Sequence, residues 1–516
     1  MMRIGLILLL AGFTSLATLP ANAAPKARHV IVIVWDAMRP DFVTEENAPT
    51  LSRLVHGGVW FENHHAVYLS STEVNGTAIA TGAYPEHDGI IANREFRPGI
   101  DATKPIHTEI APFVRKGDEL SHNHYVRVPT AAEILQGKGM KTVIAGAKGV
   151  ALLHDRALRP PTATSINLFA GQSLPPHIAQ MLNGTHGPFP QAEDSVPTRN
   201  DWTTDALIDP LWNDGVPAFT LLWLNEPDAS QHQYGPGSKE ALAAIKNVDD
   251  NLAKILRALE AKGVLKETDI LLVSDHGCST ISSLVDVAES LNAAGFKASR
   301  TFTNAAARGE IMAVSNGGSV LLYVTGHDEK TVRKLVDFLQ TWPHTGVIFT
   351  ARALEGTFDL HEAGIASPEA PDVVVSMRWK SDKSDNGTSG TLVSDLYDYG
   401  PGQGMHVSLS SFDMHNTLVG FGPDFRAGVV DHLPSGNVDV APTALWLLGV
   451  KPPKSMDGRV LAEALVNCDL KFKSYEPRRR ETTRKTANGV WHQYLNQTEV
   501  NGVIYLDEGN GYVSDK

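Results

Sequence analysis

The sequence predicts a wound α/β/α sandwich on a largely parallel central sheet with loop insertions. Three observations carry that expectation. Continuous apolar, β-branched runs occur at 30–35 (VIVIVW), 142–147, 219–224 and 270–274, the pattern of strands buried on both faces. Helix-period segments separate them, most clearly 239–262, where Leu242, Ile245, Val248, Leu252, Ile255 and Leu256 share one face. Polar residues land just past the strand ends: Asp36, Lys148, Asp228 and Asp275. Open α/β sheets bind ligands outside the carboxyl ends of their strands, so the recurrence predicts one shared site.

Taken in order, the chain starts with an expected signal peptide at 1–23: Arg3, an apolar run over 4–11, and Ala21-Asn22-Ala23 as a small-residue cleavage site. A mature chain from Ala24, periplasmic or secreted, follows. The apolar run is shorter than the about 20 residues of a membrane span, and no later stretch approaches that length, so no transmembrane anchor is expected. One large domain is expected over 24–470, with Pro-, Gly-, Ser- and Asp-rich insertions near 98–128, 187–202 and 380–404. Further strands are expected at 319–324, 372–376 and 417–420. The extension 471–516, packed on the domain, carries the basic run PRRRETTRK, read as a solvated face, and 500–506, read as an edge strand.

Lys and Arg number 45 against 58 Asp and Glu, a net charge of −13, without a basic stripe, so no nucleic-acid polymer is expected as partner. Cys278 and Cys468 form neither a CxxC pair nor a zinc spacing; an exported chain permits either a disulfide or two thiols. The Walker A and GxSxG patterns are absent.

The stretch 68–93, YLSSTEVNGTAIATGAYPEHDGIIAN, sets Ser70, Ser71 and Thr72 before a run of small residues. Capping alone accounts for such a pattern. A helix start is also an anion site, and a Thr72 hydroxyl there suits an oxygen nucleophile attacking phosphorus or sulfur. Asp228 and His232 are four apart, one helical turn, and both suit a metal. Asp275 and His276 are adjacent at a strand end, and His406 follows Gly402 and Gly404, which permit close backbone approach. Each of these alone is equally a surface pair or a loop histidine.

Together, in order and spacing, Asp36, the Thr72–Asn75 T-x-x-N turn, YPEHDGIIAN, PDASQH followed by Gly235-Pro236, SDHG (274–277), GMH (404–406), and NVDVAPTALWLLGV with MDGR resemble the alkaline phosphatase superfamily. Within it they are most similar to the type I phosphodiesterase and nucleotide pyrophosphatase family, over nearly the whole mature chain. The resemblance implies an alkaline-phosphatase-like fold, a small-molecule phosphate ester substrate and two zinc ions. Asp228, His232 and His406 would hold one ion; Asp36, Asp275, His276 and the Thr72 oxygen the other. Manganese and iron accept the same ligand types. It further implies in-line attack by Thr72, a phosphothreonine that water then cleaves, and a phosphoryl oxygen held by the Asn93 amide and the Thr72 backbone N–H.

Two residues depart from the nucleotide-cleaving pattern. Glu73 stands where those members carry an aromatic residue against the base, and a carboxylate there repels an anion unless it points away or pairs with a cation. Lys148 resembles the dianion-binding lysine of monoesterases and phosphonate hydrolases, and an exposed strand-end lysine is the plain alternative. Arg156 assists it or lies at the surface. A phosphomonoesterase or phosphonate hydrolase is therefore the alternative enzyme. A non-catalytic binding protein is the alternative of another class. Neither cysteine lies near the nucleophile turn, which disfavours a formylglycine sulfatase.

Overall fold

The apolar runs become the middle of a nine-stranded sheet. In spatial order it comprises Val429–Asp431, Val59–Phe61, Leu418–Phe421, Thr268–Val273, His29–Trp35, Phe219–Leu224, Thr142–Gly146, Ile166–Phe169 and Gln172–Leu174. The computed structural model describes residues 26–191, 196–466, 468, 470, 475–487 and 489–515. The expected signal peptide at 1–23 lies outside the described residues.

Five consecutive strands, from Thr268–Val273 to Ile166–Phe169, run parallel. Their side chains alternate between two cores. Val30, Val32 and Val34 face one core with Leu445 and Trp223; Ile31, Ile33 and Trp35 face the other with Ile245, Val248 and Leu252 of the Lys239–Ala261 helix. Burial on both faces explains why these strands lack polar alternation.

The register organises what lies beyond the strand ends. Val34 is level with Val273 on one side and Trp223 on the other, and Trp223 is level with Gly146. Two residues past this common row come Asp36, Asp275, Asn225 and Lys148.

The further strands expected at 319–324, 372–376 and 417–420 are present, while the expectation for the tail changes. The strands at Ser319–Val324 and Val373–Met377 belong to a separate six-stranded mixed sheet, whereas Leu418–Phe421 joins the central sheet antiparallel. The tail forms a three-stranded antiparallel meander, Tyr475–Thr486, Gly489–Val500 and Val503–Ser514, in place of the edge strand expected at 500–506. Its last turn is Asn501-Gly502, both at positive φ, with Val500 paired to Val503. That is the two-residue hairpin turn Asn-Gly favours, and it splits the expected strand. The basic run lies exposed on the first of these strands, as expected.

The three segments read as irregular carry regular elements: the helix Ala111–Ser121, the helix Val196–Ala206, and the strands Trp379–Lys383 and Ser389–Asp395. Cys278 is a buried thiol, and Cys468 is partly buried. Among the described residues no helix is long and apolar enough to cross a membrane.

Candidate active site

Thr72 opens the helix Thr72–Thr81, with Ser71 at its cap position. All ten residues of this helix are buried, which small side chains permit against two neighbours at once. A Cβ on Gly76 would lie 2.5 Å from Val150 Cγ2 and 3.2 Å from the Trp223 ring, so the helix sits directly on the sheet. Asn75 holds the preceding turn: its Oδ1 accepts from Val67 N–H at 2.8 Å and its Nδ2 donates to the Ser71 carbonyl at 3.0 Å. Asn437, from the closing pattern, donates to Asn75 Oδ1 at 2.9 Å and to the Asp275 carbonyl at 2.6 Å. The T-x-x-N turn and the late Asn437 thus lock the Thr72–Thr81 helix to the SDHG turn.

The expected ligands converge on Thr72 as two groups, Asp228 with His232 and His406, and Asp36 with Asp275 and His276. Each imidazole donates its Nδ1–H to a backbone carbonyl at 2.8 Å: His232 to Gly404, His276 to Gly277, His406 to Ser70. The acceptors are carbonyls, so each ring carries a proton on Nδ1 and turns its Nε2 toward the carboxylates. His232 Nε2 stands 3.2 Å and His406 Nε2 3.7 Å from Asp228 Oδ1; His276 Nε2 stands 3.6 Å from Asp36 Oδ1 and 3.3 Å from Asp275 Oδ2. Those three carboxylate oxygens are buried without a hydrogen-bond partner. Orphaned carboxylate oxygens facing oriented imidazole Nε2 atoms fit divalent cations, because backbone acceptors behind the rings are how metal-binding histidines are held. Gly404 makes the approach possible: a Cβ there would meet the Gln231 carbonyl at 2.5 Å.

Lys148 reaches into the same point. Its Nζ donates to Asp36 Oδ2 at 3.0 Å, Thr72 Oγ1 at 3.1 Å and Asp228 Oδ2 at 3.3 Å. Burial opposes its charge, but Asp36, Asp228, Glu73 and Glu109 outweigh that and hold the amine protonated well above the usual lysine range. Trp223 Nε1 also donates to Asp36 Oδ2, at 3.0 Å. Asn93 accepts the Glu73 N–H on Oδ1 at 3.1 Å, which leaves its NH2 to donate into the cavity it lines. Arg156, by contrast, is buried against Asp118 and takes no part.

Glu73 does not confront the cavity as a bare anion. Burial first, then Glu109, push its carboxyl well above the ordinary range, against the pull of Lys148. Glu109 is raised likewise by burial. It comes from the segment read as an irregular insertion and carried no motif in the sequence. Tyr397 and Tyr399 were missed for the same reason. They line the cavity of about 290 Å³ beside Thr72, the Tyr399 ring stacking on His232 at 4.3 Å and the Arg94 guanidinium lying 4.1 Å over Tyr397.

A family model described as type I phosphodiesterase / nucleotide pyrophosphatase matches residues 30–393. The chain belongs to this family. The match takes in Asp36 through His276 and ends before His406, which the fold brings back to the site. Among curated relatives of this family member, human ectonucleotide pyrophosphatase/phosphodiesterase family member 1 is 28% identical over 229 residues, 44% of this chain and 21% of the relative. Bovine bis(5'-adenosyl)-triphosphatase ENPP4 is 23% identical over 54% of each chain, and its mouse counterpart 23% identical over 83% of this chain and 78% of its own. The chain thus spans from about a fifth to about half of the first of these relatives. Murine ectonucleotide pyrophosphatase / phosphodiesterase 5, solved in an inactive form with AMP, superposes with a TM-score of 0.59 at 15% identity, over 85% of this chain and all of the other. That likeness establishes an alkaline-phosphatase-like α/β fold for this family member.

Proposed function

We propose that this protein is a two-metal hydrolase of small phosphate esters, of the phosphodiesterase/nucleotide pyrophosphatase type, working through a phosphothreonine at Thr72. The observation that carries the reading is the set of three imidazoles, each fixed with its Nε2 toward a partnerless carboxylate oxygen, around the hydroxyl of the first residue of a helix. Asp228, His232 and His406 would hold one zinc, and Asp36, Asp275 and His276, with Thr72, the other. When bound, the metals lower the pKa of the hydroxyl and offset charge on the attacking and leaving oxygens.

Thr72 Oγ bonds to phosphorus as it loses its proton, and the bond to the leaving oxygen breaks. A water oxygen then bonds to phosphorus and the Thr72 Oγ–P bond breaks. Throughout, the Asn93 NH2 and the Thr72 backbone N–H at the helix start hold a nonbridging oxygen. Lys148 keeps positive charge beside Thr72 Oγ1. Burial and then Glu109 raise the Glu73 carboxyl, which lessens its repulsion of a nucleotide-sized anion, and Tyr397 and Tyr399 supply aromatic surface for one. Export behind the leader 1–23, and one hydrolase domain over 24–470 extended by 471–516, complete the reading.

A monoesterase or phosphonate hydrolase is the second reading, favoured by the Lys148 contact with Thr72. Hydrolysis by the zinc-loaded protein of p-nitrophenyl phosphate, bis-p-nitrophenyl phosphate and thymidine p-nitrophenyl phosphate separates them. The diesters are expected to turn over faster, and Thr72→Ala to lower kcat by at least roughly a thousandfold. Monoester preference transfers the assignment to the second reading, and unchanged turnover in Thr72→Ala removes the covalent mechanism. A protein that binds metal but cleaves none of the three substrates is a binding protein.

A further inference from the structure

Among the described residues a third group of ligand-type side chains lies outside the cavity: His65, His415 and Asp507 bring one donor atom each within 4.8 Å of one another. His65 closes the short strand His64–His65, His415 follows the helical turn Ser411–Met414, and Asp507 comes from the last strand of the meander, Val503–Ser514. His65 and His415 are joined by an isolated antiparallel bridge, and their ring centroids are 4.5 Å apart.

The polarity of the contacts is what distinguishes this group from an ordinary surface ion pair. His65 Nδ1 lies 3.0 Å from the Ser435 carbonyl, which can only accept, so the ring carries its proton there. Its Nε2 then turns a lone pair to Asp507 Oδ1 at 3.2 Å, one electron-rich atom facing another in a ring that is 2% exposed. The same carboxylate oxygen lies 2.6 Å from His415 Nε2. His65 thus repeats the arrangement of the three cavity histidines, with a backbone carbonyl behind the ring and a carboxylate ahead of it.

The strand that delivers Asp507 is bent to do so. Asn496 pairs with Glu508 and Gln497 with Leu506, which leaves Asp507 as the extra residue of a β-bulge. Bulges re-aim side chains, and this one points a carboxylate out of the meander at two imidazoles on the catalytic body. The side chains of His415 and Asp507 are 26% and 38% exposed, which leaves an open side for entry and for a completing water.

We propose that His65, His415 and Asp507 form a transition-metal site, suited to zinc, that clamps the C-terminal meander to the catalytic body. Two imidazoles and a carboxylate with one open position match the zinc donor set. Since Asp507 joins the other two only when the meander is docked, binding stabilises the docked state alone. The clamp is anchored seven positions before Thr72 and nine after His406, so it holds both segments that deliver active-site residues.

The test uses the full chain carrying Asp36→Ala and Asp228→Ala, so that the cavity ligands do not contribute. The protein is stripped with chelator, reloaded with Zn²⁺ and desalted; bound zinc and the melting temperature are then measured. This background is expected to retain one zinc per chain and to melt higher with zinc. Adding His415→Gln, which keeps a donor facing Asp507, or Asp507→Asn should abolish both effects. Zinc content unchanged by His415→Gln overturns the site. Co²⁺ loading of the background gives a readout that needs no ligand variant: visible absorption of four-coordinate cobalt is expected, and its absence overturns the proposal.

Discussion

At the scale of single residues, protonation and tautomer decide what the site can do. The cavity histidines turn their Nε2 atoms toward the carboxylates because backbone carbonyls take their Nδ1 protons, a feature set by where Gly404, Gly277 and Ser70 fall in space. Glu73 shows the converse. Its identity in the sequence suggests a repelling anion, but burial and then Glu109 raise its carboxyl well above the ordinary range, against the charge. Burial leaves another signature at Asp269, away from the site, where desolvation and then the nearby Asp424 push the carboxyl up to about 8. Its Oδ2 has no partner, and the Asp424 carboxylate is already occupied by the Lys26 and Ala27 amides. Between its ordinary 3.8 and about 8, the folded chain keeps a proton that the unfolded chain has released, so stability falls as pH rises through that window. Asp269→Asn is expected to melt above the parent at pH values over about 8, with the gap closing toward about pH 4. A pH series of melting temperatures checks this; parallel curves for the two proteins would refute it.

At the scale of elements, the Thr72–Thr81 helix packs closely on the sheet because its residues are small. Gly76 lets it lie against Val150 and Trp223, and Trp223 in turn donates to Asp36, so helix position and carboxylate position are coupled. Gly76→Ala would force the helix outward, costing about 1–3 kcal/mol of stability and lowering kcat with Thr72 intact. Paired denaturation and kinetic measurements check this, and a variant with parental stability and kcat would show the contact to be slack. The meander shows how an element is missed. The Val-Asn-Gly-Val signal at 500–503 is a hairpin signature, but reading 500–506 as one apolar run hid it. The helices inside 98–128 and 187–202 escaped notice because their Pro- and Gly-rich flanks dominate the local composition, while tertiary contacts make up for weak propensity.

At the scale of the molecule, the meander is part of the fold and not an appendage. Trp491 is fully buried and donates to the Gly356 carbonyl, Gln493 bonds both backbone groups of Ile348, and Leu495 and Tyr505 join separate cores. Fully burying a large apolar side chain contributes about 1.5–3 kcal/mol, so several together rival the whole stability of a domain. A chain ending before Tyr475 is expected to express as an aggregation-prone protein with a lower melting temperature than the full chain; a soluble product of equal melting temperature would mean the meander docks without stabilising. The sequence by itself determined four adjacent strands at the centre of the sheet, the residues at their carboxyl ends and the spacing of the donor types. Those are local properties, carried by apolar runs and by chemistry attached to their ends. Only the tertiary structure decided that Lys148 contacts Thr72, that Glu109 lies near Glu73, that two tyrosines border the cavity, and that Asp507 meets His65 and His415. These pairings join positions dozens to hundreds of residues apart, and they depend on parallel register, a β-bulge and burial, none of which leaves a mark on neighbouring residues.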